Sequence, residues 1–331
     1  MTRSFDSVPV IDIAGLSSPD LGARRETARR IGAAASEVGF LYVRGHGVPQ
    51  ALTDGLLAAA ERLFALPISR KMDWYIGRSV NHSGYVPEGE EVFEGGKIDR
   101  KEAFDVGLDA PQGGAPMVGP NLWPDVTGFR EPVAAYYAAM ADLARRMFRG
   151  FALALGLPED HFEPYRTAPP SQLRLIHYPF DADAAPDQQG IGAHTDYEFF
   201  TILHATAPGL EVMNGAGAWI GAPPLPGCLV INIGDMLEAW TNGVFTATSH
   251  RVRKVGTERY SFPFFATCDY DTVVAPHPRF VSEAAPARYP AIVSGEHLFA
   301  QTVKTFAYLK ARRGGEAGPA FGQAARQAAG A

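Results

Sequence analysis

Cysteine is nearly absent from this chain of 331 residues, with only Cys228 and Cys268 present. Two cysteines cannot build the disulfide framework of a small secreted scaffold, and a chain of this length needs no such framework to bury a core. They point to a reducing, cytoplasmic setting. Long hydrophobic runs are missing as well. No stretch approaches the roughly 20 apolar residues that span a bilayer, so no membrane partner is expected. The opening MTRSFDSVPVIDIAGL lacks the apolar segment of a signal peptide. There is no run of Lys and Arg either. Thirty basic against 36 acidic side chains leave a formal charge of −6, which speaks against a nucleic-acid partner. No internal repeat is evident.

The chain opens β-α-β-α. A strand is expected over Val8 to Ile13, a helix near Asp20 to Val38, a short strand over Gly39 to Val43, and an amphipathic helix from Pro49 to Leu66. From Tyr75 to Pro124 the text is rich in Gly, Pro and polar residues, as in long functional loops. A strong helix is expected over Phe129 to Leu155, stopped by Gly156-Leu157-Pro158. From Ser171 to about Phe265 short β-branched and aromatic runs alternate with turns (LRLIHY, FFTILHA, CLVINIG, RYSFPFFA), the pattern of a double-sheet jelly roll or small barrel. A last helix should run from Gly295 to Arg312, followed by a Gly/Ala-rich tail. The expected organisation is one catalytic unit, with a support region over 1–165, a core over 166–290, and a C-terminal helix and tail over 291–331.

The chemistry centres on His194-Thr195-Asp196. On a strand, residues i and i+2 share a face, so His194 and Asp196 can reach one ion. His250 lies 54 residues beyond Asp196 on another β-like run, and two sheets folded face to face could bring it within reach. Two His and one carboxylate leave coordination positions open, as non-haem iron(II) oxygenases require. Nine residues after His250 stands Arg259, with Ser261 on the same strand face. A guanidinium forks onto a carboxylate through two hydrogen bonds, and a neighbouring hydroxyl completes a clamp.

His194-x-Asp196, His250 and Arg259-x-Ser261 resemble the core of the Fe(II)/2-oxoglutarate-dependent dioxygenases, in their isopenicillin N synthase-like branch. The resemblance spans nearly the whole chain: VPVIDI, GFLYVRGHGVP and FALPISRK in the first half, LRLIHYP, GLEV, VINIGDMLEAWTNG, SHRV and RYSFPFF in the second. It implies a mainly β, α+β fold, with a double-stranded β-helix (jelly roll) core, an N-terminal β-α-β-α support and helices on one side. It implies Fe(II), 2-oxoglutarate and O₂ as cofactor and co-substrates. His194, Asp196 and His250 would be the catalytic metal ligands. Arg259 and Ser261 would take the C5 carboxylate of 2-oxoglutarate, with Tyr178 nearby. Plant members usually carry Asn two residues before that Tyr; here the position is Ile176, and Arg174 is the candidate substitute at the C1 end. The implied reaction hydroxylates, desaturates or cyclises a small molecule while 2-oxoglutarate becomes succinate and CO₂.

SGYVPEGEEV (Ser83 to Val92) and GIGAHTDY are similar to segments of bacterial ethylene-forming enzymes, which act on arginine with 2-oxoglutarate. The matching substrate positions are Glu91 and Tyr197. The plainer reading leaves Glu90 and Glu91 solvated. Phe93, Phe199 and Phe264 could wall an apolar pocket, and Lys304 could meet a substrate carboxylate. His46, His82, His161, His204, His277 and His297 read as structural or surface residues, and Asp235 as a turn or helix cap. Three rival readings stand beside the oxygenase: an ethylene-forming-like enzyme, an isopenicillin N synthase-like oxidase that needs no 2-oxoglutarate, and an inactive jelly-roll binding protein.

Overall fold

The computed structural model describes residues 4–91, 99–111, 115–180, 190–253 and 256–313. The chain begins with β1 (Val10–Asp12), α1 (Leu21–Glu37), β2 (Phe40–Arg44) and α2 (Gln50–Phe64). Then come α3 (Ile68–Lys71), β3 (Gly84–Val86), β4 (Glu102–Val106) and α4 (Arg130–Ala154). The second half holds β5 (Gln172–Tyr178), β6 (Ile191–His194), β7 (Phe200–Ala205), β8 (Leu210–Met213), β9 (Trp219–Gly221) and β10 (Leu229–Ile233). After α5 (Asp235–Trp240) follow β11 (His250–Val252), β12 (Arg259–Ala266), β13 (Val273–Val274), β14 (Ile292–Val293), α6 (Ser294–Thr305) and α7 (Ala307–Arg313).

Local chemistry sets the early boundaries. Asp20 caps α1 by accepting from the amides of Gly22 and Ala23 at 3.1 and 2.9 Å. Thr27, Ala28, Ile31, Ala34 and Ala35 form its buried stripe. The helix stops at Gly39, which donates to the Ala34 carbonyl with φ +73°. A Cβ at Gly39 would lie 2.3 Å from the Thr246 carbonyl oxygen, so only glycine fits this turn into β2.

Two sheets make the core. The large one has the order β1-β2-β10-β7-β12-β5-β4-β3, and the small one β6-β11-β8-β9. This is the expected jelly-roll layout with helices on one side. Strand alternation gives the large sheet two different faces. Leu173, Leu175, Phe200, Ile202, Ile231, Ile233, Phe262 and Phe264 join the apolar cluster built with α1, α2 and α4. Their neighbours Arg174, Ile176, Tyr178, Thr201, Leu203, Asn232, Ser261, Pro263 and Phe265 line a cavity of about 140 Å³ on the other face.

The C-terminal expectation needs one correction. The predicted single helix is two, interrupted at Phe306, whose backbone is extended (φ −87°, ψ 125°). That residue forms a bridge with Glu91, and the Ala307 amide donates to the Glu90 carbonyl at 2.9 Å.

Candidate active site

His194 and His250 are paired residues on the adjacent antiparallel strands β6 and β11. This corrects the expectation that two facing sheets bring them together: the small sheet alone does so, with ring centroids 4.3 Å apart. Asp196 lies just past the end of β6 rather than on it, and its Oδ1 is 3.6 Å from His194 Nε2 and 3.5 Å from His250 Nε2. The three donor atoms all fall within 4.8 Å of one another, as one ion requires.

The surroundings orient each donor. His194 donates from Nδ1 to the Gly192 carbonyl at 2.8 Å, and His250 from Nδ1 to the Thr248 carbonyl at 3.2 Å. A carbonyl only accepts, so each Nδ1 carries a proton and Nε2 is the nitrogen that each ring turns toward the metal position. Asp196 Oδ2 accepts from Asn232 Nδ2 at 2.7 Å and from the Thr201 hydroxyl, leaving Oδ1 to face the imidazoles. Burial and the nearby His250 push the His194 ring down to about 4, so it is neutral at physiological pH. Burial alone would raise the Asp196 carboxyl, but His250 and His194 hold it below the usual carboxylate range. This donor set fits Fe(II), which takes two neutral imidazoles and one carboxylate and keeps open positions.

Asn232 and Thr201 escaped the sequence reading. Their signal was a polar residue inside an apolar run, LVINI and FFTIL. Gly234 has a related role. A Cβ there would lie 2.1 Å from the Glu198 carbonyl oxygen, so glycine lets the backbone after β10 approach the loop carrying Asp196. The Asp235 amide then donates to the Asp196 carbonyl at 2.8 Å. Asp235 is the first residue of α5, close to its expected role as a turn or cap.

Arg259 and Ser261 line the same cavity from β12. Arg259 is 1% exposed, pairs in register with Tyr178, and lies 4.7 Å above its ring. Its Nε donates to the Ala207 carbonyl at 3.1 Å, while its Nη1 is buried without a hydrogen bond to the protein. A buried guanidinium that keeps a donor in reserve suits a carboxylate ligand.

Glu90 and Glu91 are buried, not solvated. Glu91 belongs to an ion chain in which Arg174 donates to Glu91 at 2.6 Å and forks onto Asp105 at 2.7 and 2.6 Å. Lys101 lies 2.9 Å from Glu91 and 3.2 Å from Asp99. Burial alone would raise the Glu91 carboxyl, but Arg174 and Lys101 hold it at about 2. Arg174 lines the cavity, yet its fork is committed to Asp105 and Glu91. The same fork holds the Glu91 carboxylate at the cavity wall. Glu90 accepts from the Tyr75 hydroxyl and the Tyr308 amide at 2.7 and 2.8 Å.

Of the remaining candidates, Tyr197 lines the cavity. Phe264 does not: it is fully buried on the helix face, edge-on to Tyr137 at 5.2 Å, and Pro263 and Phe265 take the cavity face instead. Phe199 packs among Phe148, Phe162 and Trp240 in the core. Lys304 reaches Gln301 at 3.4 Å, and α6 presents Thr302 and Thr305 to the cavity in its place. Phe93 lies outside the described residues. His177 points away from the cavity and bridges Glu102 and Glu258 at 2.9 and 2.8 Å.

Comparison with known proteins bears on this geometry. Residues 8–126 match the family model described as non-haem dioxygenase in morphine synthesis N-terminal, and 169–267 match the 2OG-Fe(II) oxygenase superfamily. A homoarginine-6-hydroxylase of Oryza sativa subsp. japonica is 35% identical over 92% of this chain and 99% of its own length. One from Glycine max is 33% identical over 93% and 100%. Among solved structures, a putative 2OG-Fe(II) oxygenase family protein of Caulobacter crescentus aligns at TM-score 0.80 with 31% identity, covering 90% of this chain and 98% of the other. A full-length Neurospora crassa protein, solved in complex with alpha-KG and thymine, aligns at TM-score 0.79 with 25% identity over 88% and 95%. No described helix is long and apolar enough to cross a membrane. The chain belongs to the 2-oxoglutarate–Fe(II) oxygenase superfamily, and is an oxidoreductase that draws on Fe(II), 2-oxoglutarate and O₂ to oxidise a small molecule.

Proposed function

We propose that the protein hydroxylates a basic amino acid, one bearing a guanidinium or amine. His194, Asp196 and His250 hold Fe(II). Arg259 and Ser261 hold the C5 carboxylate of 2-oxoglutarate, with Tyr178 packed under the guanidinium. Glu91 and Tyr197 receive the cationic group of the substrate. One observation carries the reading: a single cavity is lined by the three-donor set, by the Arg259 clamp and by the buried carboxylate of Glu91. The names of the homoarginine-6-hydroxylases support the same substrate class. Cys228 and Cys268 are both free thiols, and we place the protein in the cytoplasm on that ground.

The chain's own contribution is positioning and charge. Bound iron and 2-oxoglutarate supply the oxidising power, with succinate and CO₂ as by-products. Asn232 and Thr201 fix which Asp196 oxygen faces the metal position. Arg174 and Lys101 keep Glu91 ionised in a buried place, ready to face a cation. Ile176, Leu203 and Leu210 give the cavity apolar walls that exclude water.

The test is aerobic turnover with Fe(II) and 2-oxoglutarate, following succinate with L-homoarginine, L-arginine, L-lysine, thymine and indole-3-acetate. Succinate stimulated by the basic amino acids, matched by a hydroxylated product, is the expected result. Stimulation by thymine or indole-3-acetate alone would reject the substrate class. Ethylene in the headspace would move the protein to the ethylene-forming reading.

A further inference from the structure

His82 reads as a structural residue in the sequence, but its setting is that of a ligand-binding group. It is a non-glycine residue at φ +58°, a left-handed conformation uncommon outside glycine that its surroundings hold in place. Those surroundings are visible. Gln172 Nε2 donates to the His82 carbonyl at 2.8 Å, and Tyr308 meets its Nδ1 at 2.6 Å. The ring stands edge-on to Phe306 at 4.4 Å. Tyr308 is itself tied down through its amide to Glu90, whose other oxygen accepts from Tyr75. His82 is 5% exposed and lines the cavity, yet its Nε2 is buried with no hydrogen-bond partner in the protein. Buried polar atoms are almost always paired, so an unpaired one on a cavity wall marks a place for a ligand atom.

The identity of Tyr308 decides what Nε2 offers. A phenol is a better donor than a neutral imidazole, and an imidazole nitrogen a better acceptor than a phenol oxygen. The hydroxyl therefore donates to Nδ1, which puts the ring proton on Nε2. Burial, and then the charge of Arg174, push His82 down to about 3, so the ring is neutral and carries its single N–H on Nε2.

We propose that His82 donates a hydrogen bond from Nε2 to a carboxylate oxygen of the substrate, with Tyr308 as the positioning residue that fixes the proton on that nitrogen. The proposal rests on the basic amino acid reading and sharpens it: Glu91 answers the cation and His82 the carboxylate. Both flank Phe306, at the break between α6 and α7.

The experiment is an anaerobic titration of the Fe(II)·2-oxoglutarate enzyme, read from the shift of its metal-to-ligand charge-transfer band. The ligands are L-homoarginine and its decarboxylated amine. His82→Asn tolerates the positive φ but cannot reach the Nε2 position, His82→Gln can, and Tyr308→Phe removes the proton-fixing hydroxyl. Wild type should prefer the amino acid, and His82→Asn should lose about tenfold or more of its affinity for it while the amine binds as before. His82→Gln should recover part of the preference, and Tyr308→Phe should fall between. The band before ligand addition must stay unchanged in every variant, which shows that the fold and the metal site survive. If His82→Asn keeps the wild-type preference, or wild type binds the amine equally well, the inference is overturned and the proposed substrate class stands. If wild type responds to neither compound, nor to L-arginine or L-lysine, the substrate class fails and takes this inference with it.

Discussion

The two faces of the large sheet come from the same strands and obey opposite rules. Toward α1, α2 and α4 the strands present Leu, Ile and Phe. There the requirement is volume, and residues of similar size can replace one another at small cost. Toward the cavity, beside the apolar walls of Ile176 and Leu203, the same strands carry the polar residues Arg174, Thr201, Asn232 and Ser261. Each is defined by a partner or by a donor it keeps available, and an apolar substitute of the same size would do nothing. A shift of one residue along any of these strands would exchange the two sets. The dense apolar face thus holds the register on which the cavity face depends.

The comparison is most easily broken at the metal position. His250→Ala removes one of the three donors that come together among the described residues. We expect Fe(II) retention and turnover to fall by more than about a hundredfold, since even removing an outer partner of a metal ligand costs about 10–100-fold. Iron content after desalting, measured beside far-UV circular dichroism, tests this. An unchanged iron content in a folded variant would refute the ligand assignment.

Next in size is Arg259→Ala. The lost interaction is a charge-assisted fork in a buried setting, so the KM for 2-oxoglutarate should rise by about 30- to 100-fold while iron content stays constant. A KM within twofold of wild type would remove Arg259 from the clamp.

Legibility in the sequence followed the same division. His194, Asp196 and His250 could be read because their types and spacings are constrained by an ion, and the spacing of Arg259 and Ser261 was enough to place both on the wall of the same cavity. The main helices and strands could be read because their apolar periods and caps are local, as with Asp20 before α1. What could not be read depended on partners far along the chain. The burial of Glu91 is made possible by Arg174, 83 residues away, and by Lys101. The role of His82 depends on Tyr308, 226 residues away. Other misses were avoidable. Ser261 faces the cavity, so parity sends Pro263 and Phe265 there and turns Phe264 to the helices.

The sharpest and smallest test uses two consecutive residues of β10. Ile231 faces the helices and is fully buried, whereas Asn232 faces the cavity and holds Asp196 Oδ2 at 2.7 Å. Ile231→Val removes one methylene from a packed core and should lower stability by about 1 kcal/mol while leaving iron affinity and the KM for 2-oxoglutarate unchanged. Asn232→Ala should do the reverse in function: with Oδ2 released from one of its two donors, Asp196 loses its fixed orientation, and iron affinity should fall by about 10–100-fold. Chemical denaturation and iron titration of both variants give four numbers. If Ile231→Val weakened iron binding as much as Asn232→Ala, the two faces would be mechanically coupled and the division between packing and chemistry would not hold; if Asn232→Ala left iron affinity intact, Thr201 alone would suffice to orient the carboxylate.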